Sequence, residues 1–168
     1  MDFHEISPYE MNANPFSRIG RDWMLITAGD GESCNTMTAS WGEMGILWSK
    51  PVTTVYIRPT RYTREFVERE ARYSLCFFAP GEQKAALDLL GTKSGRDGNK
   101  IAEAGLHTTM LDGVPAFEEA EMVIICRVLY KQDLKPECFV DKAVDEAMYP
   151  DHSHHRMYVG EIEKVYIK

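Results

Sequence analysis

Two strand-forming stretches, residues 23–28 (WMLITA) and 35–41 (NTMTASW), are separated only by the turn-rich GDGES of 29–33 and one further residue. Parallel neighbours need a crossover of a dozen or more residues, so a link this short forces an antiparallel pair. Further strand candidates follow at 52–57, 73–78, 107–111, 122–130 and 157–167, rich in β-branched and aromatic residues or alternating in polarity. The helices are fewer and short. One runs over TREFVEREA (63–71) with Thr63 as its cap, one over 82–90 with Gly91 in the C-terminal capping position, and one over 97–104 stopped by Gly105. A weak fourth lies near 141–148. The expected fold is mainly β: an antiparallel Greek-key barrel, closed or split, with short flanking α-helices. Seven strands would also build a sandwich, and the pattern does not separate the two. Residues 1–18 read as an irregular lead-in, and a chain of 168 residues without repeat or linker fits a single domain.

Against a formal net charge of -7, the stretch GTKSGRDGNK (91–100) gathers Lys93, Arg96 and Lys100 around glycines and a serine. Backbone N–H groups freed by Gly95 and Gly98, the Thr92 and Ser94 hydroxyls and the cationic heads suit phosphate oxygens, at about 1.5–3 kcal/mol per charge-assisted contact. The same composition is equally that of a solvated loop between helices. An acidic chain with one basic loop lacks the broad cationic face that nucleic acid needs, so the expected anion is small. Four cysteines, Cys34, Cys76, Cys126 and Cys138, form no CxxC pair, and no apolar run reaches the roughly 18 residues of a membrane span. With a polar N-terminus as well, these features lead us to expect a cytoplasmic protein without membrane contact.

Two familiar phosphate loops fail. Lys93 follows Thr92 where a P-loop requires glycine, and Gly29 and Gly31 are followed by Cys34 where the dinucleotide fingerprint places its third glycine. The strand at 35–42 bears mostly small residues. Thr36, Thr38, Ala39, Ser40 and Gly42 leave the backbone open to close approach, Asn35, Thr38 and Ser40 offer polar groups, and Trp41 provides a broad apolar plate. A flat heteroaromatic with polar edges fits there; so does a plain threonine-rich edge strand.

Four blocks, NTMTASWG (35–42), VYIRPTRYT (55–63), GTKSGRDGNK (91–100) and RMYVGEI (156–162), taken together and in this order, resemble the flavin reductase like proteins of the FMN-binding split-barrel class, flavoredoxins included. The resemblance runs from about residue 23 to residue 168. It implies a homodimer of split barrels with FMN near the subunit interface. By the matching positions, Asn35, Met37, Thr38, Ala39, Ser40 and Trp41 would line the isoalloxazine or ribityl portion. Arg58, Thr60 and Thr63 would hold the tail, and Lys93, Ser94, Gly95 and Arg96 the phosphate. Relatives often carry a cysteine just before the glycine of the third block, where this chain has Leu90.

The function implied is hydride transfer from NAD(P)H to flavin, chemistry that the cofactor carries while the protein positions it. The alternative is an FMN electron carrier serving a redox protein partner, and a third reading is a barrel holding another phosphorylated ring such as pyridoxal phosphate. No residue is assigned as catalytic, with His155 the single candidate for approach to the flavin or nicotinamide. His152, His154 and His155 invite a metal reading, yet no Cys or carboxylate partner stands at a recognisable ligand spacing, and a surface turn after Pro150 is the expectation. Arg61 and Arg64 could attract the phosphates of NAD(P)H, but two arginines at a helix start are usually solvated, and that is the expectation.

Overall fold

The chain is described by a computed structural model that covers residues 2–168. Among the described residues ten strands form: β1 (His4–Ile6), β2 (Met24–Gly29), β3 (Cys34–Ala39), β4 (Gly42–Leu47), β5 (Lys50–Ile57), β6 (Arg72–Phe77), β7 (Thr108–Leu111), β8 (Val114–Phe117), β9 (Met122–Asp133) and β10 (Arg156–Ile167). The helices are α1 (Pro15–Ser17), α2 (Thr63–Glu70), α3 (Lys84–Thr92), α4 (Lys100–Glu103) and α5 (Lys142–Met148). Among the described residues, no helix is long and apolar enough to cross a membrane.

The main sheet is antiparallel in the order β3-β2-β6-β9-β10-β5-β4, with β1 added on β10, while β7 and β8 form a separate hairpin. Its two end strands, β3 and β4, are joined by Ser40 and Trp41 alone. A sheet whose edges are consecutive in the chain must curl until those edges meet, and because β3 and β4 do not pair, the result is a barrel split along that seam. The β9–β10 pair inserts between β6 and β5, which is the Greek-key element expected from the sequence.

Alternation along the strands divides the core in two. Ile26, Tyr73, Phe77, Ile124 and Val165 pack in one cluster with Val55 and Ile57, filling the barrel. Their neighbours Leu25, Cys76, Val123 and Ile125 face outward to Leu87 and Leu90 of α3 and to Val114, Ala116 and Phe117 of β8. Strands buried on both faces read as continuous apolar runs, as 73–78 does.

Several expectations are corrected. The lead-in is ordered: β1 pairs through His4↔Ile167 and Ile6↔Val165, a three-residue strand whose existence depends on β10 and has no local signal. β4 and β8 were not expected. The β4–β5 turn is made by Trp48 and Ser49, both at positive φ (51° and 58°), without the Asn-Gly or Asp-Gly that announces such a hairpin. Thr63 is the first helical residue of α2 and not its cap, for Tyr62 takes that position. Gly91 lies inside the last turn of α3, not beyond it, because there the helix crosses β3 and a Cβ would stand 3.3 Å from Thr38 Cβ. The helix expected over 97–104 is broken by Gly98 at φ 143° into a 3-10 turn, Gly95–Asp97, and α4.

Candidate functional site

The seam of the barrel and the basic loop lie side by side. Asn35 on β3 is buried and its Nδ2 donates to Thr63 Oγ1 at 2.7 Å, tying the strand to the first turn of α2. The loop approaches the same amide so closely that a Cβ on Gly95 would stand 2.0 Å from Asn35 Oδ1. Only glycine fits without displacing one of the two segments. Three residues on, Thr38 Oγ1 donates to the Leu87 carbonyl of α3 at 2.6 Å, a second tie, between the strand and the helix that leads into the loop.

Two concavities result. The ring pocket, 220 Å³, lies along the seam and is lined by Met37, Thr38, Ala39, Ser40 and Trp41, with Tyr56, Arg58, Arg61 and His155 opposite. The loop pocket, 170 Å³, is lined by Asn35, Thr60, Thr63, Lys93, Ser94 and Gly95, with Arg61, Thr92 and Lys100 among the others. Arg61 borders both. Its Nη1 donates to the Gly91 carbonyl at 2.6 Å, while Nη2 is buried and has no partner among the described residues. Burial pulls the Arg61 pKa down, but a guanidinium stays charged at any ordinary pH, so a strong donor is held out of water and unpaired among the described residues. Such a group costs about 1–3 kcal/mol until an acceptor arrives.

Lys100 adds a second cation. It is almost fully buried, with Nζ donating to the Leu90 carbonyl at 3.0 Å and the Lys93 carbonyl at 2.9 Å. Burial, helped by the Arg61 charge, lowers its pKa to about 8. An anion beside it would reverse that shift.

The sequence candidates thus fall into two groups. Asn35, Met37, Thr38, Ala39, Ser40, Trp41, Arg58, Thr60, Thr63, Lys93, Ser94 and Gly95 all line one pocket or the other. Arg96 does not: its guanidinium pairs with Glu65, donates to the Thr60 carbonyl at 3.3 Å and sits 4.5 Å over the Tyr62 ring, outside both cavities. The Lys93 ammonium is shared between the Glu103 carboxylate oxygens at 2.7 Å each. Arg58 donates to the Met148 carbonyl at 3.0 Å and approaches Asp151 at 3.5 Å, so besides lining the pocket it ties down the segment around α5.

That segment supplies the pocket's far wall. His155 is buried, with Nδ1 2.8 Å from the Tyr149 hydroxyl and its ring 5.2 Å from Trp41. Burial, then the Arg58 and Arg61 charges, lower its pKa to about 4, so it is neutral in ordinary conditions. His154 stacks on Tyr149 and meets Asp145 Oδ1 at 2.6 Å, which raises its pKa. The two histidines therefore part company, and the surface turn expected after Pro150 leaves only His152 exposed. Tyr56 and Tyr149 join the site without a signal in the sequence, whereas Lys100 is one of the three cations of the basic loop. Arg61, expected to be solvated at a helix start, is instead half-buried between the two pockets, because its guanidinium turns inward to the Gly91 carbonyl. Beyond the seam, Ser40, Trp41 and Tyr56 also border an apolar groove of 640 Å³ with Phe16, Ile19 and Met44 on its other side.

The chain matches the family model for the flavin reductase like domain over residues 16–168. In structure it is similar to an FMN-binding domain of a flavin reductases-like enzyme from Shewanella baltica. That likeness has a TM-score of 0.71 and 16% identity, over 99% of this chain and 77% of the other. It is similar also to an FMN-binding protein from Thermus thermophilus with bound 1-cyclohex-2-enone (TM-score 0.64, 23% identity, 85% and 68% coverage). A flavoredoxin from Methanosarcina acetivorans shares the fold as well (TM-score 0.66, 21% identity, 88% and 68% coverage). No curated protein matches the chain in sequence. The match over nearly the whole chain, on a split barrel with the basic loop set against the seam, places this protein in the flavin reductase like domain family.

Proposed function

We propose that the two pockets hold one FMN, with the flavin ring along the seam, the phosphate against the basic loop and Arg61 between them, and that the protein reduces flavin with NAD(P)H. The observation that carries this reading is the orphaned Arg61 Nη2: a buried cationic donor at the junction of an apolar slot and a cationic loop fits a ligand with a flat ring at one end and an anion at the other. Gly95 fits the same ligand, since its missing side chain is what lets the loop close on Asn35.

When bound, FMN supplies the redox chemistry, accepting a hydride from reduced nicotinamide. The residues of this chain bind and orient. Lys100, with two N–H groups given to carbonyls, keeps a third for a phosphate oxygen, and the Ser94 hydroxyl lies beside it in the loop. Past the last β2–β3 pair, Met24↔Ala39, the amides of Ser40 and Trp41 are free of the strand ladder and are suited to donate to the ring edge where reduction places negative charge. Met37 and Ala39, buried on the slot floor, exclude water from it. The adjoining apolar groove gives a second substrate a place beside the ring.

The family resemblance further supports a homodimer. The β4–β5 hairpin presents Ile46, Leu47 and Trp48 to solvent, and two residues at its turn carry left-handed backbone, a cost that a structural contact would repay. We also infer a cytoplasmic location, in keeping with four unpaired cysteines.

The test is anaerobic titration of the purified protein with FMN, followed by NADH and then NADPH. Stoichiometric yellow complex that bleaches within turnovers of nicotinamide supports the reductase. Bleaching only by a reduced ferredoxin-like donor would make the protein an electron carrier, and failure to retain FMN at micromolar concentration would overturn the reading altogether.

A further inference from the structure

We propose that Tyr149 holds His155 as its Nε2–H tautomer, so that the ring pocket offers the co-substrate a hydrogen-bond donor, fit for a carbonyl or carboxamide oxygen, and not a base. This rests on the flavin reading of the pocket for its consequence, but its physical content is a property of the chain alone.

The Tyr149 oxygen stands 2.8 Å from His155 Nδ1, and both residues are buried. Two proton arrangements satisfy that distance. Either the phenol donates to a bare Nδ1 and the ring proton sits on Nε2, or Nδ1–H donates to the phenol and Nε2 is bare. In the second arrangement the phenol hydrogen needs another acceptor. Among the described residues the hydroxyl makes no other side-chain bond, and the His155 backbone N–H that approaches it is itself a donor. A buried phenol hydrogen would then be stranded, whereas the first arrangement uses every proton.

The surroundings keep the choice between neutral forms. Arg58 lies 5.3 Å over the Tyr149 ring and lines the pocket with Arg61, and these two cations oppose a charged imidazole. His154 stacks on Tyr149 at 4.4 Å and is engaged by Asp145, while Asp151 is drawn to Arg58, so neither carboxylate reaches His155. The Tyr149 ring is held from more than one side, with Phe139 edge-on at 6.0 Å. Its hydroxyl is therefore a fixed pointer. A neutral imidazole so fixed neither takes up a proton near neutral pH nor accepts a hydrogen bond at Nε2; it gives one. A ligand presenting an acceptor oxygen beside the seam is favoured over one presenting an N–H or O–H.

Histidine-labelled protein without FMN, examined by long-range nitrogen–proton correlation with His155→Asn to assign the signals, reads the tautomer directly. We expect Nδ1 to carry the bare-nitrogen shift and Nε2 the protonated one. The opposite pattern overturns the proposal. In Tyr149→Phe, whose fold is checked by circular dichroism, the Nδ1–H form should rise at least tenfold relative to wild type; an unaltered ratio overturns the role of Tyr149. In FMN-loaded protein the same substitution should raise KM for reduced nicotinamide several-fold with kcat within about twofold, and an unchanged KM overturns the donor role. Loss of FMN binding by the wild type would refute the flavin reading while leaving the tautomer measurement intact.

Discussion

Arg61→Met separates ligand binding from folding more sharply than any other change in this protein. The guanidinium makes one protein bond, Nη1 to the Gly91 carbonyl, and leaves Nη2 buried and unmatched. Removing it loses about 1.5–3 kcal/mol of charge-assisted hydrogen bond at Gly91 but also relieves an unsatisfied donor of about 1–3 kcal/mol, and methionine keeps much of the packing volume. The two terms oppose, so apo stability should change by no more than about 2 kcal/mol in either direction. Binding has no such cancellation. A charge-assisted bond from Nη2 to the ligand, about 1.5–3 kcal/mol, disappears, and the FMN dissociation constant should rise roughly 10- to 150-fold. Quenching of flavin fluorescence gives the affinity, and urea unfolding of the apo protein gives the stability. Arg61→Lys should fall between, since an ammonium reaches either Gly91 or the ligand but does not fork to both. If Arg61→Met binds FMN within threefold of wild type while folding normally, Arg61 is not the bridge between the pockets. If instead it loses several kcal/mol of stability, its role is structural.

A side chain at Gly95 meets Asn35 Oδ1 at 2.0 Å, so Gly95→Ala should push the loop from the strand and weaken FMN binding at least tenfold in the same fluorescence titration, with a smaller effect on unfolding. Stability should also depend on pH through His155. An unfolded histidine titrates near 6.5 and the folded one at about 4, so the folded chain binds fewer protons in that window. Stability is full above the unfolded value and declines by about 3 kcal/mol as pH falls to 4, a slope that urea unfolding should find absent in His155→Asn. His154, whose pKa is raised, acts oppositely: its contribution is present at lower pH and is lost as pH rises through its folded value. At Gly160 a Cβ would stand 2.3 Å from the Tyr73 hydroxyl, which bonds Thr53 in the barrel interior. Gly160→Ala should cost about 1–3 kcal/mol by thermal unfolding, and Tyr73→Phe in the same chain should recover part of it; equal losses in both backgrounds would mean the contact is not the cause.

The sequence announces what is local. The GDGES turn, the small-residue strand after it and the glycine-rich basic loop were all readable, because turn chemistry and the absence of bulk leave marks in a few consecutive residues. The roles inside the site were less so. Arg96 looked the better phosphate ligand than Arg61 by its place in the loop, yet Glu65 and the Tyr62 face take Arg96 outward, and burial between two pockets, which no short motif records, makes Arg61 the inward cation. Gly91 carried the mark of a helix cap, but the same absent Cβ serves a crossing over Thr38. β1 was invisible because it is held by β10, far along the chain, and the Trp48–Ser49 hairpin because its two turn residues take left-handed backbone against their own local preference.

The placement of β10 has a consequence for how this chain reaches its native state. That strand lies between β9 and β5 and also receives β1, so residues near the end of the chain complete ladders with partners as distant as His4. Until it arrives, β5 and β4 have no hydrogen-bonded ladder to β6 and β9, and the two parts of the sheet are connected along the chain, by the Ser40–Trp41 link between β3 and β4 and by α2 between β5 and β6. Nascent chains should therefore dwell as two unclosed halves with open strand edges, acquiring the ability to grip a ligand only in the last step of assembly, on the slow timescale of topologies ruled by distant contacts.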